Sequence, residues 1–137
     1  MLIEGHGIPI GLAIDAANVA ETALGLAAVM MALVTLPVKA GRLIPLLADR
    51  AYDCDWLRQQ LARLGLQLVS KHRRNRRRAP TSDGRWERRL KRRYKIERTN
   101  AWLHSYRRAL TRYEKSSRRH EGFVSLACAF MALGKLR

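Results

Sequence analysis

The spacing of apolar positions changes repeatedly along the first half of the chain, and each change marks an element. Met1-Leu2-Ile3 and Ile8-Pro9-Ile10-Gly11-Leu12-Ala13-Ile14 flank Gly5-His6-Gly7, the layout of a hairpin whose second strand tolerates Pro9 near its start. Asn18 to Leu33 is rich in Ala, Leu and Met and predicts a helix, with Pro37 beyond it as a stop. Leu43-Ile44-Pro45-Leu46-Leu47-Ala48 is too short an apolar run for a helix and predicts a buried strand that delivers Asp49 at its C-terminal end. Leu57, Leu61 and Leu64 then recur at helical steps, with Asp53 ahead of them as an N-cap and Gly65 after them as a stop. Leu66-Gln67-Leu68-Val69-Ser70 alternates as a strand does. The order strand, strand, helix, strand, helix, strand is an α/β pattern.

From Lys71 the character changes. Lys71-His72-Arg73-Arg74-Asn75-Arg76-Arg77-Arg78 is a basic block, and Ala79-Pro80-Thr81-Ser82-Asp83-Gly84-Arg85 reads as a loop. A long helix is predicted from Trp86 to about Tyr113, with Ile96, Thr99, Leu103, Tyr106, Leu110 and Tyr113 on one face as core. Arg93, Glu97, Asn100 and His104 fall together on the opposite face, since successive helical residues turn by about 100°. A last helix carries Phe123, Leu126, Ala127, Phe130 and Leu133 at packing intervals. The chain therefore reads as a single domain over 1–137 with an α/β core portion at 1–70, a basic loop at 71–85 and a helical part at 86–137.

Composition adds a partner to this outline. The 137 residues are 47% hydrophobic, enough for a folded core, yet carry a formal net charge of +16 and a sequence pI near 11.3. Residues 71–119 hold 20 of the 27 basic residues and only 4 of the 11 acidic ones, so the whole excess lies there. A nucleic-acid contact surface segregates charge in this way, whereas a general enzyme of acidic substrates does not need to. Cys54 and Cys128 have no metal-ligand spacing and suggest neither a zinc site nor a disulfide scaffold, which points to a reducing cytoplasm. No basic segment precedes an apolar one at Met1-Leu2-Ile3-Glu4, as a secretory signal requires. Thr22 to Val38 is uncharged but shorter than the ~20 apolar residues of a spanning helix, so a core helix is expected and no membrane.

Two places could carry chemistry. Glu97 is the only acidic residue between Arg88 and Thr111, set among Arg92, Arg93, Lys95 and Arg98. A lone carboxylate in such a field is either an ion-pair anchor or a metal ligand near phosphates. The other is Asp49-Arg50-Ala51-Tyr52-Asp53-Cys54-Asp55. Asp53 and Asp55 are accounted for by the start of the following helix, which favours negative charge. Asp49 has no such local role and sits where open α/β sheets place their ligand sites, at a strand's carboxyl end.

These segments resemble a family. Leu47-Ala48-Asp49-Arg50-Ala51-Tyr52-Asp53 is similar to the "aDkgYD" segment around the second catalytic aspartate of bacterial insertion-sequence DDE transposases. Arg93-Tyr94-Lys95-Ile96-Glu97-Arg98-Thr99-Asn100-Ala101-Trp102-Leu103 resembles their "R-x3-E-R-T-x-A-W-L" segment, which carries the catalytic glutamate, and 47 residues separate Asp49 from Glu97. Ile8-Pro9-Ile10-Gly11-Leu12 with Ala17-Asn18-Val19, and Arg108-Ala109-Leu110-Thr111-Arg112-Tyr113-Glu114, resemble two further stretches in the family's order.

The resemblance implies a ribonuclease H-like fold with a truncated mixed sheet and C-terminal helices. It also implies a two-metal mechanism in which carboxylates hold Mg²⁺ or Mn²⁺ for attack on a DNA phosphodiester. Asp49 and Glu97 match the catalytic, metal-holding positions, and Arg93 matches the basic position four residues before the glutamate. The family's first catalytic aspartate lies on a strand before the hairpin, and no residue here corresponds to it; Asp15 is the only nearby carboxylate at a strand end. The family's glycine before Tyr52 is Ala51, the tyrosine three residues before Arg93 is Leu90, and the distal lysine position is His104.

Expected partners are transposon-end and target DNA, gripped by Arg73, Arg74, Arg76, Arg77, Arg78, Arg93, Arg98 and His104. An upstream transposase half or a second copy is expected to complete the enzyme, the chain reading as the C-terminal part of a transposase. Trp86 and Trp102 are candidates for stacking on bases, with packing the simpler role for Trp102. The alternative is a non-catalytic basic nucleic-acid-binding protein or a transposition inhibitor.

Overall fold

The computed structural model describes residues 1–16, 18–32, 41–81 and 84–135. Strands β1 (Leu2–Ile3) and β2 (Pro9–Gly11) form an antiparallel hairpin, as the sequence predicts, though the second strand ends at Gly11. Glu4 organises the turn: its carboxylate accepts from the backbone N–H of His6 (2.6 Å) and of Ile8 (3.1 Å). Gly7 closes the turn at φ +91°, a conformation open to glycine. Helix α1 (Glu21–Met30) is shorter than the predicted Asn18–Leu33 and opens on the acid Glu21, as the helix dipole favours. Leu33, Pro37 and the rest of 33–40 lie outside the described residues.

Next come strand β3 (Ile44–Leu47), a 3₁₀ turn (Arg50–Tyr52), helix α2 (Asp55–Arg63) and strand β4 (Leu66–Val69). β3 and β4 pair in parallel with Leu47 opposite Val69, so the chain makes one β–α–β unit, with Gly65 stopping α2 at φ +75°. Leu57 and Leu61 on α2, Leu66 and Leu68 on β4 and Val29 on α1 are the buried core, against which Leu2, Leu26, Ile44 and Leu46 pack. The mixed sheet expected from the sequence is, among the described residues, two separate two-stranded sheets held together through α1.

The predicted long helix from Trp86 to Tyr113 is divided. It comprises α3 (Gly84–Leu90), a 3₁₀ turn (Lys91–Arg93), α4 (Tyr94–Leu103) and the single turn α5 (Arg107–Leu110). The break after α4 has a local cause. Ser105 turns its hydroxyl back onto the Trp102 carbonyl at 2.7 Å, and Tyr106 is extended, its carbonyl capping α5. The predicted core face accordingly fails beyond the break. Thr99 is wholly buried and Ile96, Leu103 and Tyr106 are half-buried, but Leu110 and Tyr113 are exposed. The last helix, α6 (Ser117–Lys135), buries Val124 and Ala127, while the predicted packing residues Leu126, Phe130 and Leu133 face outward.

Two glycines with opposite surroundings test this packing. A Cβ at Gly11 would lie 2.2 Å from the carbonyl oxygen of Ala28, where β2 meets α1, whereas one at Gly122 on α6 meets nothing within 4 Å. Gly11→Ala is expected to destabilise the fold by about 2 kcal/mol, and Gly122→Ala to stabilise it by about 0.5–1 kcal/mol. Urea unfolding midpoints check both signs; a neutral Gly11→Ala contradicts the β2–α1 contact.

Candidate functional site

The carboxyl edge of the β3–β4 pair gathers the site. Because Leu47 pairs with Val69, and Ala48 N–H donates to the Val69 carbonyl, the residues leaving the two strands, Asp49 and Lys71, emerge at the same edge. Asp49 has a local role the sequence reading missed: its Oδ1 accepts the backbone N–H of Arg50 and starts the 3₁₀ turn. It remains 57% exposed and meets Arg93 from the far side of the basic segment, Nη1 to Oδ1 at 3.0 Å and Nη2 to Oδ2 at 3.4 Å. The same guanidinium reaches Glu97, one turn along α4, at 3.9 Å. Arg93 therefore brings together the two candidate carboxylates. A cleft of about 560 Å³ opens beside them, lined by Asp49, Arg50, Ala51, Lys71, Arg73 and Arg93, one acid among four cations.

Asp53 is not the N-cap of α2 that its position predicts; that place belongs to Cys54, which makes no side-chain cap. The Asp53 side chain is 1% exposed and is the hub of the basic segment. Oδ1 accepts from Arg58 Nη2 (2.7 Å), His72 Nδ1 (3.1 Å) and Arg76 Nη1 (3.3 Å), and Oδ2 accepts the Arg73 backbone N–H (2.8 Å). Thr81 N–H donates to His72 Nε2, so the network assigns the proton of a neutral His72 to Nδ1. Arg58 also donates to the Leu68 carbonyl and to Ser70 Oγ, tying the hub to the end of β4. Burial pushes the Asp53 carboxyl upward, but the bonds from Arg58, Arg73 N–H and His72 outweigh it and hold its pKa at about 2. Asp55 is lowered by its hydrogen bonds from Arg76 and Arg78.

This hub sorts the cations expected to bind DNA. Arg76 pairs with Asp53 and Asp55, and Arg78 pairs with Asp55 at 2.9 Å. Arg73 is at the cleft, its guanidinium on the carbonyls of Arg50 and Ala51. Arg74 and Arg77 are exposed, with no acid partner among the described residues. His104 is exposed at the C-terminal cap of α4. Arg98 is on another face of α4, its guanidinium 5.0 Å from the Trp102 ring centroid. Trp102 is half-buried, which favours packing, and Trp86 is covered by Arg89 at 4.6 Å. Arg50 and Lys71 were not singled out from the sequence; the signal for Lys71 was present, since it leaves β4 as Asp49 leaves β3.

Cys54 and Cys128 are free. Among the described residues no group of three or more His, Cys, Asp or Glu side chains is placed to hold a metal ion, and no helix is long and apolar enough to cross a membrane.

Comparison with known proteins identifies a family. A family model described as "Transposase DDE domain" matches residues 1–132. A Burkholderia cepacia protein named as a candidate transposase for insertion sequence element IS402 is 33% identical over 90 residues, 66% of this chain and 39% of that protein. The matched segment thus spans well under half of that relative. No solved structure matches. With the family model covering nearly its whole length, the chain belongs to the transposase DDE domain family.

The Asp53 hub has a pH signature. Its pKa is lowered by folding, so the stability it contributes is complete above about pH 4 and is lost as pH falls toward 2. Asp53→Ala, which strands Arg58 and Arg76, is expected to cost about 3 kcal/mol at neutral pH. Asp53→Asn is expected to flatten the acid limb of stability between pH 4 and 2. Denaturant unfolding across that range checks both; an acid limb unchanged in Asp53→Asn contradicts the hub.

Proposed function

We propose that this member of the transposase DDE domain family binds DNA and contributes Asp49 and Glu97 to metal-dependent phosphodiester hydrolysis and strand transfer in transposition. The observation that carries the reading is the shared contact of Arg93 with both carboxylates, one at the end of β3 and one on α4. A parallel pair with an acid at its carboxyl edge supports a ribonuclease H-like arrangement. Residues 1–70 supply Asp49, 71–85 the basic segment and 86–137 Glu97, as parts of one domain.

The donor set fits a hard divalent cation such as Mg²⁺ or Mn²⁺. Asp49 and Glu97 offer only oxygen, are 57% and 70% exposed, and leave coordination positions for water and phosphate oxygens. When bound, such an ion polarises the phosphodiester and activates the attacking water or 3′-hydroxyl. Arg93 holds the two carboxylates toward one another until DNA arrives, and can then pass its fork of N–H groups to a phosphate. Arg50, Lys71 and Arg73 line the cleft and receive backbone phosphates there. A further carboxylate donor, from another transposase segment or a second copy, is part of this reading. So is action on cytoplasmic bacterial DNA.

One observation favours a non-catalytic DNA-binding role instead: Arg93 already neutralises Asp49, and no larger ligand cluster exists among the described residues. Nicking of supercoiled DNA in Mg²⁺ or Mn²⁺, by the chain alone and with an upstream transposase segment, separates the two. Asp49→Asn and Glu97→Gln are each expected to lower the rate at least a hundredfold while leaving duplex binding in place. Wild-type rates in both variants sink the metal-ligand assignment. Lys71→Ala is expected to reduce the slope of log affinity against log salt by about 0.9, one phosphate contact; an unchanged slope removes Lys71 from the cleft's phosphate site.

A further inference from the structure

A second cleft, of about 540 Å³, lies between α4, the hairpin turn and the end of α6, lined by His6, Ile8, Tyr94, Lys95, Arg98 and Lys135. Among the described residues no carboxylate lines it. The acid of the turn, Glu4, spends its oxygens on the N–H groups of His6 and Ile8 and on His6 Nδ1. The cations here have neutral partners. Lys95 donates to the Gly5 carbonyl, Arg98 lies over the rings of Trp102 and Tyr94, and Lys135 Nζ is 4.2 Å from the Trp102 ring centroid. Arg58, Arg76, Arg78 and Arg93, by contrast, each have a carboxylate within 4 Å. Among the described residues, then, Lys95, Arg98 and Lys135 have no carboxylate partner, and the three converge on one cleft.

The cleft also presents a ring. Tyr94 is 55% exposed at its edge. Tyr94 and Arg98 are about 100° further round α4 than Arg93 and Glu97, so the two clefts use different faces of one helix. A duplex keeps its base faces covered by stacking, and cations alone suffice to grip it. Uncompensated cations beside an exposed aromatic ring fit a strand whose bases are unstacked, because phosphates pair with the former and a base face covers the latter.

We propose that this cleft binds single-stranded DNA, its backbone phosphates against Lys95, Arg98 and Lys135 and a base stacked on the Tyr94 ring. The proposal rests on the reading of the chain as DNA-binding but not on Asp49, Glu97 or Arg93, which the cleft does not include. Tyr94 and Glu97 are less than one helical turn apart, ~5 Å along the axis. An unpaired end released at the first cleft has only to pass round α4 to reach the second.

Fluorescence anisotropy of a labelled oligodeoxythymidine and of a labelled duplex, both without divalent metal, tests this. Tyr94→Ala is expected to weaken oligodeoxythymidine binding about tenfold and to leave duplex binding unchanged. Lys135→Glu, on the opposite wall, is expected to lower the salt slope for the single strand by about 0.7. Single-strand affinity unchanged in Tyr94→Ala, or equal losses on single strand and duplex, overturns the proposal. Wild-type protein that binds duplex but not the single strand overturns it while sparing the DNA-binding reading; protein that binds neither removes that reading as well.

Discussion

Two guanidinium groups, an imidazole and a backbone N–H converge on one buried carboxylate, and most of the site's geometry follows from that. Asp53 takes Arg58 from α2, His72 and Arg76 from the basic segment, and the Arg73 N–H. An isolated buried carboxylate would be costly; with its oxygens filled by donors it becomes a fixed point in a segment that charge alone would drive into solvent. The segment after β4 is thereby folded back over the 3₁₀ turn that follows Asp49. Arg73 reaches the carbonyls of Arg50 and Ala51, and Lys71 and Arg73 stand beside Asp49. The basic block is thus partly a structural latch, with Arg76 and Arg78 consumed internally and Arg74 and Arg77 left outward.

Helix α4 is placed by two contacts on different faces. Thr99, wholly buried, donates its hydroxyl to the Gly7 carbonyl of the hairpin, and Arg93 bonds Asp49 at the end of β3. Between them these fix the helix that carries Glu97 against both strand pairs. The charge on α4 is then divided by face: Arg93 is matched by acids, and Lys95 and Arg98 are matched by a carbonyl and by aromatic rings. A net charge of +16 therefore does not describe one diffuse patch. At the first cleft Arg93 is paired with Asp49 and Glu97 while Arg50, Lys71 and Arg73 add further charge, and the cleft on another face of the same helix has no acid among the described residues.

Local elements were legible in the sequence where one short-range rule decided them. The hairpin, β3, α2 with its Gly65 stop and β4 follow from apolar period and turn residues, and Asp49 at a strand end follows from the same pattern. The meeting of Arg93 with Glu97 was readable from their four-residue spacing, and both with Asp49 only through resemblance to a family. What the pattern could not carry was long-range choice. Asp53 satisfies every local criterion for an N-cap, yet donors up to 23 residues away won its oxygens. Leu110 and Tyr113 continue the helical period of α4, but the turn at Ser105 and Tyr106 changes the phase before they are reached. Tyr94, Lys95 and Lys135 come from helices that only the tertiary fold brings to the hairpin.

The central claim is that Asp49 and Glu97 form one metal-holding centre. Its most direct test replaces Mg²⁺ by Fe²⁺ on the DNA-bound protein and maps where ascorbate-driven radical chemistry cuts the polypeptide. Scission is expected at two places, next to residue 49 and next to residue 97, and competition by excess Mg²⁺ should suppress both together. Scission at one of the two places alone, or only at sites remote from both, contradicts a shared centre.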